Sequence, residues 1–331
     1  YLYTLRVTAE CDEYEEKFGI RKVTYDEKCL YVNDKPVYLK GFGKHEDFFV
    51  SGKGNNSAVN VRDFELLDWI HANSFRTSHY PYCEEILYLA DRYGFMVIDE
   101  CPAVGCNHWQ PHTFGEQGAD SDTENLHKET LSQLIARDKN HPSVVMISVG
   151  NEAATFEASA RPYFESVISH VRKLTDLPVM IAEESKFSEG NHVADLADFI
   201  GLNRYFGWYD EIGRLEAIEP MLINDLEAYY NEFRKPIIVT EFGVDTIEGV
   251  HSLPATAFSE EYQTEYLAEN CRVFDGLPYV VGEHVWNFAD FMTKQGTIRM
   301  RGNRKGVFTR DRQPKQAAYF LRERWKSKDK K

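Results

Sequence analysis

The sequence has 331 residues, of which 43% are apolar, and this content is enough for the core of one large domain. The formal net charge of −15 argues against nucleic acid or an anionic membrane surface as the main partner, because both favour a basic surface. We therefore expect no nucleic-acid and no membrane partner.

The amino-terminal part of the chain has the pattern of a β-structure. Residues 1–7 alternate large apolar and polar side chains, as in a half-buried strand, and an acidic patch follows. One strand cannot bury its own apolar face, so we expect residues 1–20 to finish a β-domain whose earlier part precedes this chain. In residues 23–39, two strand-like segments flank the turn Asn33-Asp34-Lys35-Pro36, which predicts a hairpin leading into the next unit.

The remainder alternates short apolar runs with segments of helical period, as a (β/α)8 TIM barrel requires. A doubly wound open sheet is the competing fold, but the sequence has no G-x-G-x-x-G or Walker A loop. We therefore predict a TIM barrel in residues 21–331. The predicted strands are 37–42, 74–77, 95–98, 144–149, 179–182, 199–202, 237–240 and 279–286, and the predicted helices are 64–72, 84–93, 125–139 and 259–274.

Two glutamates, Glu152 and Glu241, stand at the carboxyl ends of the fourth and seventh predicted strands. An isolated buried charge is costly, so a carboxylate in this position indicates chemistry or a compensating partner. A salt-bridged structural carboxylate is the alternative for either residue alone. Together, across a barrel mouth, they fit the separation of about 5 Å found in retaining glycosidases. Glu241 would attack the anomeric carbon, and Glu152 would act as acid and then base.

The other strand ends carry carboxylates, amides and aromatic rings, which suit the hydroxyls and apolar face of a sugar. His45 and His79 are candidate contacts, although each could simply satisfy strand-end hydrogen bonds, and Trp286 could belong to the core. We expect the remaining strand-end carboxylates to be structural or to support the residues that contact the substrate: Asp99, Glu100, Glu183 and Glu184.

A basic segment follows the eighth strand, from Arg299 through Asn303 to Lys305. It could be a solvated loop. At the barrel mouth, however, its cations and the Asn303 amide could bind a substrate carboxylate, which would make the substrate a uronic acid glycoside.

Metal chemistry is not expected. The sequence has no His-Glu-x-x-His motif, no EF-hand loop and no C-x-x-C pair. The cysteines are predicted to be free thiols in a reducing compartment, hence a cytoplasmic protein, although their even number would also permit disulfides. They are Cys11, Cys29, Cys83, Cys101, Cys106 and Cys271.

From about residue 18 to residue 325, the chain resembles β-glucuronidases of glycoside hydrolase family 2. The resemblance rests on many local motifs. They include Gly41-Phe-Gly-Lys-His-Glu-Asp, Asn73-Ser-Phe-Arg-Thr-Ser-His-Tyr-Pro-Tyr82, Val97-Ile-Asp-Glu-Cys-Pro102, Arg137-Asp-Lys-Asn-His-Pro142, Asn151-Glu152, Asn203-Arg-Tyr205, Thr240-Glu-Phe-Gly-Val-Asp245, Val285-Trp-Asn-Phe-Ala-Asp290 and Gly306-Val-Phe-Thr-Arg310.

The resemblance implies a retaining hydrolase of β-D-glucuronides with Glu152 as acid/base and Glu241 as nucleophile. It implies that Asn303 and Lys305 bind the uronate carboxylate as an Asn-x-Lys element. It also implies an immunoglobulin-like domain ending near residue 20, a homodimer or homotetramer, and no cofactor. The further sugar contacts are Asn151, Tyr205, Tyr209, Asp245, Trp286 and Arg299, and we add His45.

Two other readings stay open. A β-galacturonidase or β-galactosidase would share most of these residues, and a non-catalytic carbohydrate-binding fragment would share the barrel. The polar loop 105–125 is a candidate lid over the leaving-group entrance.

Overall fold

The computed structural model describes residues 1–106, 112–116 and 118–328. Two small antiparallel sheets precede a closed barrel of eight parallel strands. The predicted TIM barrel is therefore confirmed. Residues 107–111 and 117 of the candidate lid lie outside the described residues, so that interpretation stays a prediction.

The first sheet is a hairpin of β1 (Tyr3–Ala9) and β2 (Asp12–Phe18), so the acidic patch is largely a second strand. Side chains of this hairpin are mostly exposed, among them Leu5 and Tyr14. The assignment of residues 1–20 to an immunoglobulin-like domain, with a boundary at residue 21, stays a prediction.

The second sheet contains β3 (Val23–Tyr25), β4 (Leu30–Val32) and β5 (Lys35–Val37). The predicted turn between β4 and β5 is confirmed, because Asn33 and Asp34 both adopt positive φ angles, 51° and 62°. Asn and Asp tolerate this left-handed conformation better than most residues do.

The barrel strands pair in chain order, and the last strand pairs with the first. All are short and almost wholly buried, which explains their nearly continuous apolar character. They are β6 (Leu39–Gly43), β7 (Ser74–Arg76), β8 (Met96–Glu100), β9 (Val144–Asn151), β10 (Val179–Glu183), β11 (Phe199–Asn203), β12 (Ile237–Glu241) and β13 (Val280–Val285).

The helices surround the barrel, with one departure from a regular repeat: between β10 and β11 the described chain has only the short 3-10 helix Phe187–Glu189. All four predicted helices are confirmed. The described chain has three more that we did not predict, and they are the fourth, fifth and seventh helices along the chain. The helices are α1 (Ser57–Trp69), α2 (Glu84–Tyr93), α3 (Ser121–Asp138), α4 (Ala160–Val171), α5 (Ile218–Phe233), α6 (Glu260–Gly276) and α7 (Gln316–Lys328).

Capping explains why α1 and α3 begin earlier than predicted. The side chain of Asn56 accepts a hydrogen bond from the Val59 amide (3.2 Å), and Asp120 accepts one from the Thr123 amide (3.0 Å). Each cap satisfies a backbone donor that would otherwise lack an intrahelical partner, so the helix extends into a polar segment.

Two apolar clusters lie on the two sides of the barrel wall. Along β12, Ile237 and Val239 belong to the cluster that includes the helices, whereas Ile238 belongs to a smaller cluster without helical residues. Because successive strand residues point to opposite faces, the smaller cluster fills the barrel interior. Leu30 of β4 joins it, so the second small sheet closes the amino-terminal end of the barrel.

Among the residues that the structure describes, no helix combines the length and the apolar character needed to cross a bilayer. The six cysteines all lie in this part of the chain and are unpaired thiols.

Gly41 of β6 tests the close packing of the barrel wall. A Cβ atom there would lie 1.9 Å from the carbonyl oxygen of Ser74 on the paired strand. We expect Gly41→Ala to lower the free energy of unfolding by about 3 kcal/mol, measured by urea denaturation. Gly276→Ala is the matched control, because a Cβ there meets no atom within 4 Å. Equal stability of the two variants would contradict this packing.

Candidate active site

A buried arginine, Arg76, lies at the end of β7 and pairs with two carboxylates. Its Nη1 donates to both oxygens of Glu100 (2.8 and 2.7 Å), and its Nη2 donates to Oε1 of Glu241 (2.5 Å). The Arg76 side chain is 0% exposed. Burial alone would raise the pKa of Glu100, but the Arg76 charge and hydrogen bonds from His79 and Ser148 bring it below its ordinary value. The ion pairs thus compensate the buried charges.

Glu241 ends β12, as the sequence predicts, and its second oxygen accepts a hydrogen bond from the Tyr205 hydroxyl (2.6 Å). Burial raises the pKa of Glu241, and the charge of Glu152 raises it further. Arg76, His79 and the Tyr205 hydrogen bond act in the opposite direction, and the net shift is upward. Glu152 is therefore close enough to Glu241 for their charges to interact.

Glu152 directly follows β9, and its backbone adopts a φ of 52°. This is a left-handed conformation that few residues other than glycine adopt, and it redirects the chain at the strand end. Asn203 Nδ2 donates to Glu152 Oε1 (2.9 Å) and to Asn151 Oδ1 (3.1 Å), while its own oxygen accepts from Thr240. Asn203 thus connects the end of β9 to the end of β12.

A second group forms around Lys305, whose side chain is 0% exposed. Its ammonium donates to Asp245 Oδ2 and to the Tyr209 hydroxyl (3.0 Å). Arg299 donates to the same two residues, at 2.7 Å to the Tyr209 oxygen and 3.3 Å to Asp245. Two cations thus converge on one neutral phenol oxygen. Asn303 Oδ1 accepts from the Lys305 amide (3.0 Å) and shapes the turn that presents the lysine.

The two groups are adjacent, because the rings of Tyr205 and Tyr209 lie 5.0 Å apart. Tyr205 contacts Glu241, and Tyr209 contacts Lys305. An unbroken series of contacts therefore runs from the β12 carboxylate to the buried ammonium.

Three rings form the opposite side of the site. Trp286 stacks on His79 with ring centroids 5.0 Å apart, and His45 contacts the Trp286 ring edge-on at 5.3 Å. His79 Nδ1 lies 3.1 Å from Glu100 Oε1. His45 Nδ1 lies 3.2 Å from the Tyr80 hydroxyl, and burial lowers the pKa of His45 well below its ordinary value. The imidazole of His45 is thus neutral at physiological pH.

The long connection between β13 and α7 carries Asn303 and Lys305, and ion pairs anchor it. Asp290 Oδ1 accepts from Lys315 Nζ (2.9 Å) and from the Gly306 amide (3.0 Å). Arg312 pairs with buried Asp63 of α1 (2.8 Å). Both pairs are buried, so the segment is fixed to the barrel rather than freely solvated.

From the sequence we assigned no role to Arg76 or Asn203, and we expected Glu100 to be structural or to support the residues that contact the substrate. The available signal was an arginine within the buried run of β7, since a charge there needs a partner. Of the four strand-end carboxylates in that expectation, Glu183 is wholly buried and accepts from Thr155 (2.7 Å). Within the described residues, no group of three or more His, Cys, Asp or Glu is arranged to hold a metal ion.

Residues 23–329 match the family described as "Glycosyl hydrolases family 2, TIM barrel domain". The chain belongs to glycosyl hydrolase family 2. The β-glucuronidase of Paenibacillus borealis is 49% identical over 333 residues, which are 98% of this chain and 56% of that protein. The β-glucuronidase of Mus musculus is 46% identical over 334 residues, covering 98% of this chain and 50% of that protein.

Two solved structures that resemble this family 2 barrel are also β-glucuronidases. The β-D-glucuronidase of Dictyoglomus thermophilum superposes with a TM-score of 0.95 at 52% identity, over 98% of this chain and 57% of that chain. The β-glucuronidase of Ruminococcus gnavus in complex with D-glucaro 1,5-lactone superposes with a TM-score of 0.91 at 45% identity. The superposition covers 98% of this chain and 57% of that chain. This chain thus spans about half the length of the curated relatives it matches.

The buried pairing of Arg76 generates a prediction about stability. Arg76→Met leaves Glu100 and Glu241 buried without their cation, and we expect a loss of about 3–5 kcal/mol in the free energy of unfolding at pH 7. The loss becomes smaller toward pH 4, because the unpaired carboxyl groups then take up protons. Arg6→Met, which breaks an exposed pair with Glu15, should cost less than about 1 kcal/mol in the same urea denaturation series. A loss of that small size for Arg76→Met would contradict the proposed pairing.

Proposed function

We propose that this barrel is the catalytic domain of a retaining β-glucuronidase. One observation carries the choice of substrate: Lys305 and Arg299 both donate to the Tyr209 hydroxyl, beside Asp245 and next to the Glu241 site. Two cations favour an anionic oxygen over a neutral phenol at that position. The relatives named β-glucuronidase, and the Ruminococcus gnavus structures with D-glucaro 1,5-lactone and uronic deoxynojirimycin, support an acid sugar.

The reaction needs an ionised nucleophile and a protonated acid. Glu241 attacks the anomeric carbon while Glu152 donates its proton to the leaving oxygen, so the glycosidic bond breaks as a glycosyl ester forms on Glu241. Water then attacks the same carbon, Glu152 accepts its proton, and Glu241 leaves as a carboxylate. Arg76 and Tyr205 hold the Glu241 oxygens in place. Burial raises the pKa of Tyr205 well above its ordinary value, so its hydroxyl stays a hydrogen-bond donor.

The uronate carboxylate would take the position now held by the Tyr209 hydroxyl oxygen, with Lys305, Arg299 and Asn303 as its partners. Lys305 is fully covered, so Tyr209, which is 48% exposed, has to move aside to admit the carboxylate. At an effective dielectric of about 20, unit charges about 4 Å apart interact by ~4 kcal/mol before desolvation. Half of that energy would make kcat/KM for a glucuronide more than tenfold higher than kcat/KM for the corresponding glucoside.

The remaining predicted contacts complete the sugar site. Asn151 lies beside Arg76 and Asn203 and would hydrogen-bond a ring hydroxyl, while Trp286 would offer an aromatic face. His45 adds a neutral imidazole edge. A homodimer or homotetramer stays a prediction.

Lys305→Met tests the substrate assignment while keeping much of the side-chain volume. We expect wild-type protein to prefer 4-nitrophenyl β-D-glucuronide over the glucoside in kcat/KM, and the variant to reduce that ratio by at least tenfold. The matched control is Lys294→Met, an exposed lysine of the same connection, which should keep the wild-type ratio.

The outcomes separate the alternatives. An unchanged ratio in Lys305→Met overturns the charge argument. Faster hydrolysis of the paired galacturonide or galactoside supports those activities instead. Binding of glucuronic acid without hydrolysis of any of these glycosides supports a carbohydrate-binding module.

The raised pKa of Glu241 predicts the acid limb of the pH profile. The nucleophile must be ionised, so kcat/KM falls as the pH drops through the Glu241 pKa, which lies above the ordinary glutamate value. Tyr205→Phe removes a hydrogen bond that lowers this pKa, so we expect the acid limb to move to higher pH. Tyr88→Phe, on the exposed side of α2, is the control and should leave the limb in place. A limb that stays fixed in Tyr205→Phe would refute the assignment of Glu241.

A further inference from the structure

Glu183, at the carboxyl end of β10, carries a fully buried carboxyl group that the proposed reaction does not use. Its Oε2 accepts hydrogen bonds from the Thr155 hydroxyl (2.7 Å) and from the side-chain amide of Asn191. Its Oε1 meets no hydrogen-bond donor among the described residues. Burying a carboxyl group is costly, so its presence here indicates a task that an apolar side chain could not perform.

Thr155 belongs to the turn that carries Glu152 and lies three residues further along the chain. The turn begins with the left-handed backbone of Glu152, a conformation that persists only where neighbouring groups hold it. The Glu152 amide donates to the Ala182 carbonyl (2.7 Å), and the Ala154 amide donates to the Cys106 carbonyl (2.7 Å). These two bonds fix the first part of the turn.

The last part of the turn is held through Thr155, which is fully buried. Its hydroxyl donates to Glu183, and its carbonyl oxygen accepts from the His192 amide (2.9 Å). Asn191 Nδ2 donates to the Thr155 hydroxyl oxygen as well (3.3 Å), and Asn191 Oδ1 accepts from the Val193 amide (2.8 Å). One buried polar cluster therefore ties the turn to the end of β10 and to the segment after it.

The position of the Glu152 carboxyl group depends on this turn. Asn203 bonds to one of its oxygens (2.9 Å), but that bond fixes only the tip of the side chain. The backbone of the turn sets the direction from which the side chain enters the site. A general acid must lie within hydrogen-bond reach of the oxygen that it protonates, and a small displacement slows the reaction. A change at Glu183 or Thr155 would thus reach the reacting carboxyl group through the backbone.

We propose that Glu183 is a positioning residue for Glu152: it holds Thr155, and Thr155 holds the turn that directs the Glu152 carboxyl group toward the leaving oxygen. The proposal rests on the function proposed above, in which Glu152 is the acid. It goes beyond that function by giving a role in proton transfer to a side chain that has no exposed surface.

Hydrogen-bond acceptance rather than charge is the property of Glu183 that this role needs. Burial raises the pKa of Glu183 to about 7, while the hydrogen bonds from Thr155 and Asn191 and the charge of Arg204 oppose that rise. The group is thus present in both ionisation states at neutral pH, and Oε2 can accept from Thr155 in either state. Glu183→Gln keeps an acceptor oxygen, whereas Glu183→Met keeps only the approximate volume.

Dependence on the leaving group tests the proposal, because only a poor leaving group needs the proton of Glu152. Phenol is a weak acid and leaves with that proton, whereas 2,4-dinitrophenol is a much stronger acid and leaves as the anion. The measured quantity is kcat/KM for phenyl β-D-glucuronide divided by kcat/KM for 2,4-dinitrophenyl β-D-glucuronide. A purely structural defect lowers both values of kcat/KM by the same factor and leaves this ratio unchanged.

Thr155→Val removes the hydroxyl donor and keeps the shape of the side chain. We expect it to lower the ratio about tenfold, because a misplaced general acid loses part of its contribution to phenol departure. Glu183→Met should have the same effect, and it takes the place of Thr155→Val should that variant not fold. Thr155→Ser and Glu183→Gln retain the hydrogen bond between the two side chains, and each should keep a ratio close to that of wild type.

Tyr25→Phe is the matched control. It also removes a hydroxyl donor to a carboxylate, that of Asp198 (2.5 Å), but Tyr25 lies in the small sheet that closes the opposite end of the barrel. We expect Tyr25→Phe to leave the ratio unchanged.

Two results overturn the positioning role while wild type still hydrolyses both substrates. One is an unchanged ratio in whichever of Thr155→Val and Glu183→Met folds. The other is a fall in the ratio that Thr155→Ser and Glu183→Gln show to the same extent. Failure of wild type to hydrolyse either glucuronide overturns the proposed function instead.

Discussion

One buried guanidinium, that of Arg76, connects the carboxyl ends of four barrel strands. It extends from β7 and bonds to Glu100 of β8, Asn151 of β9 and Glu241 of β12. A positive charge at this depth is stable only because two carboxylates surround it, and those carboxylates are stable only because it is there. The position of Glu241 is therefore a property of the whole barrel mouth rather than of its own strand.

The site has two parts with different electrostatic character. Around Arg76, opposite charges are paired and their positions fixed. Around Lys305, two cations share Asp245 and a neutral phenol oxygen, so positive charge is in excess locally although the chain as a whole is acidic. Tyr205 and Tyr209 join these parts. Under the proposed function, this division would separate bond cleavage, which needs rigid carboxylates, from substrate selection, which needs an available charge.

The sequence predicts the barrel well because each strand is buried on both faces and its apolar run is visible locally. The three unpredicted helices begin close to prolines, which obscure the helical pattern: Pro162 and Pro220 lie in the first turns of α4 and α5, and Pro314 precedes α7. The partners of Arg76 lie 24, 75 and 165 residues away along the chain. No local pattern reports such contacts, so a single sequence shows that Arg76 needs partners without showing which they are.

The connection after β13 is anchored by one set of residues and carries its recognition groups on another. Asp290, Lys315 and Arg312 attach it to the barrel. Arg299 and Lys305 donate to the Tyr209 hydroxyl, and Asn303 accepts from the Lys305 amide. Substitutions in the second set leave the attachment intact, and they leave the Arg76 pairs untouched. Under the proposed function, this barrel could change its sugar preference over evolution through a few neighbouring codons while the attachment of the connection is retained.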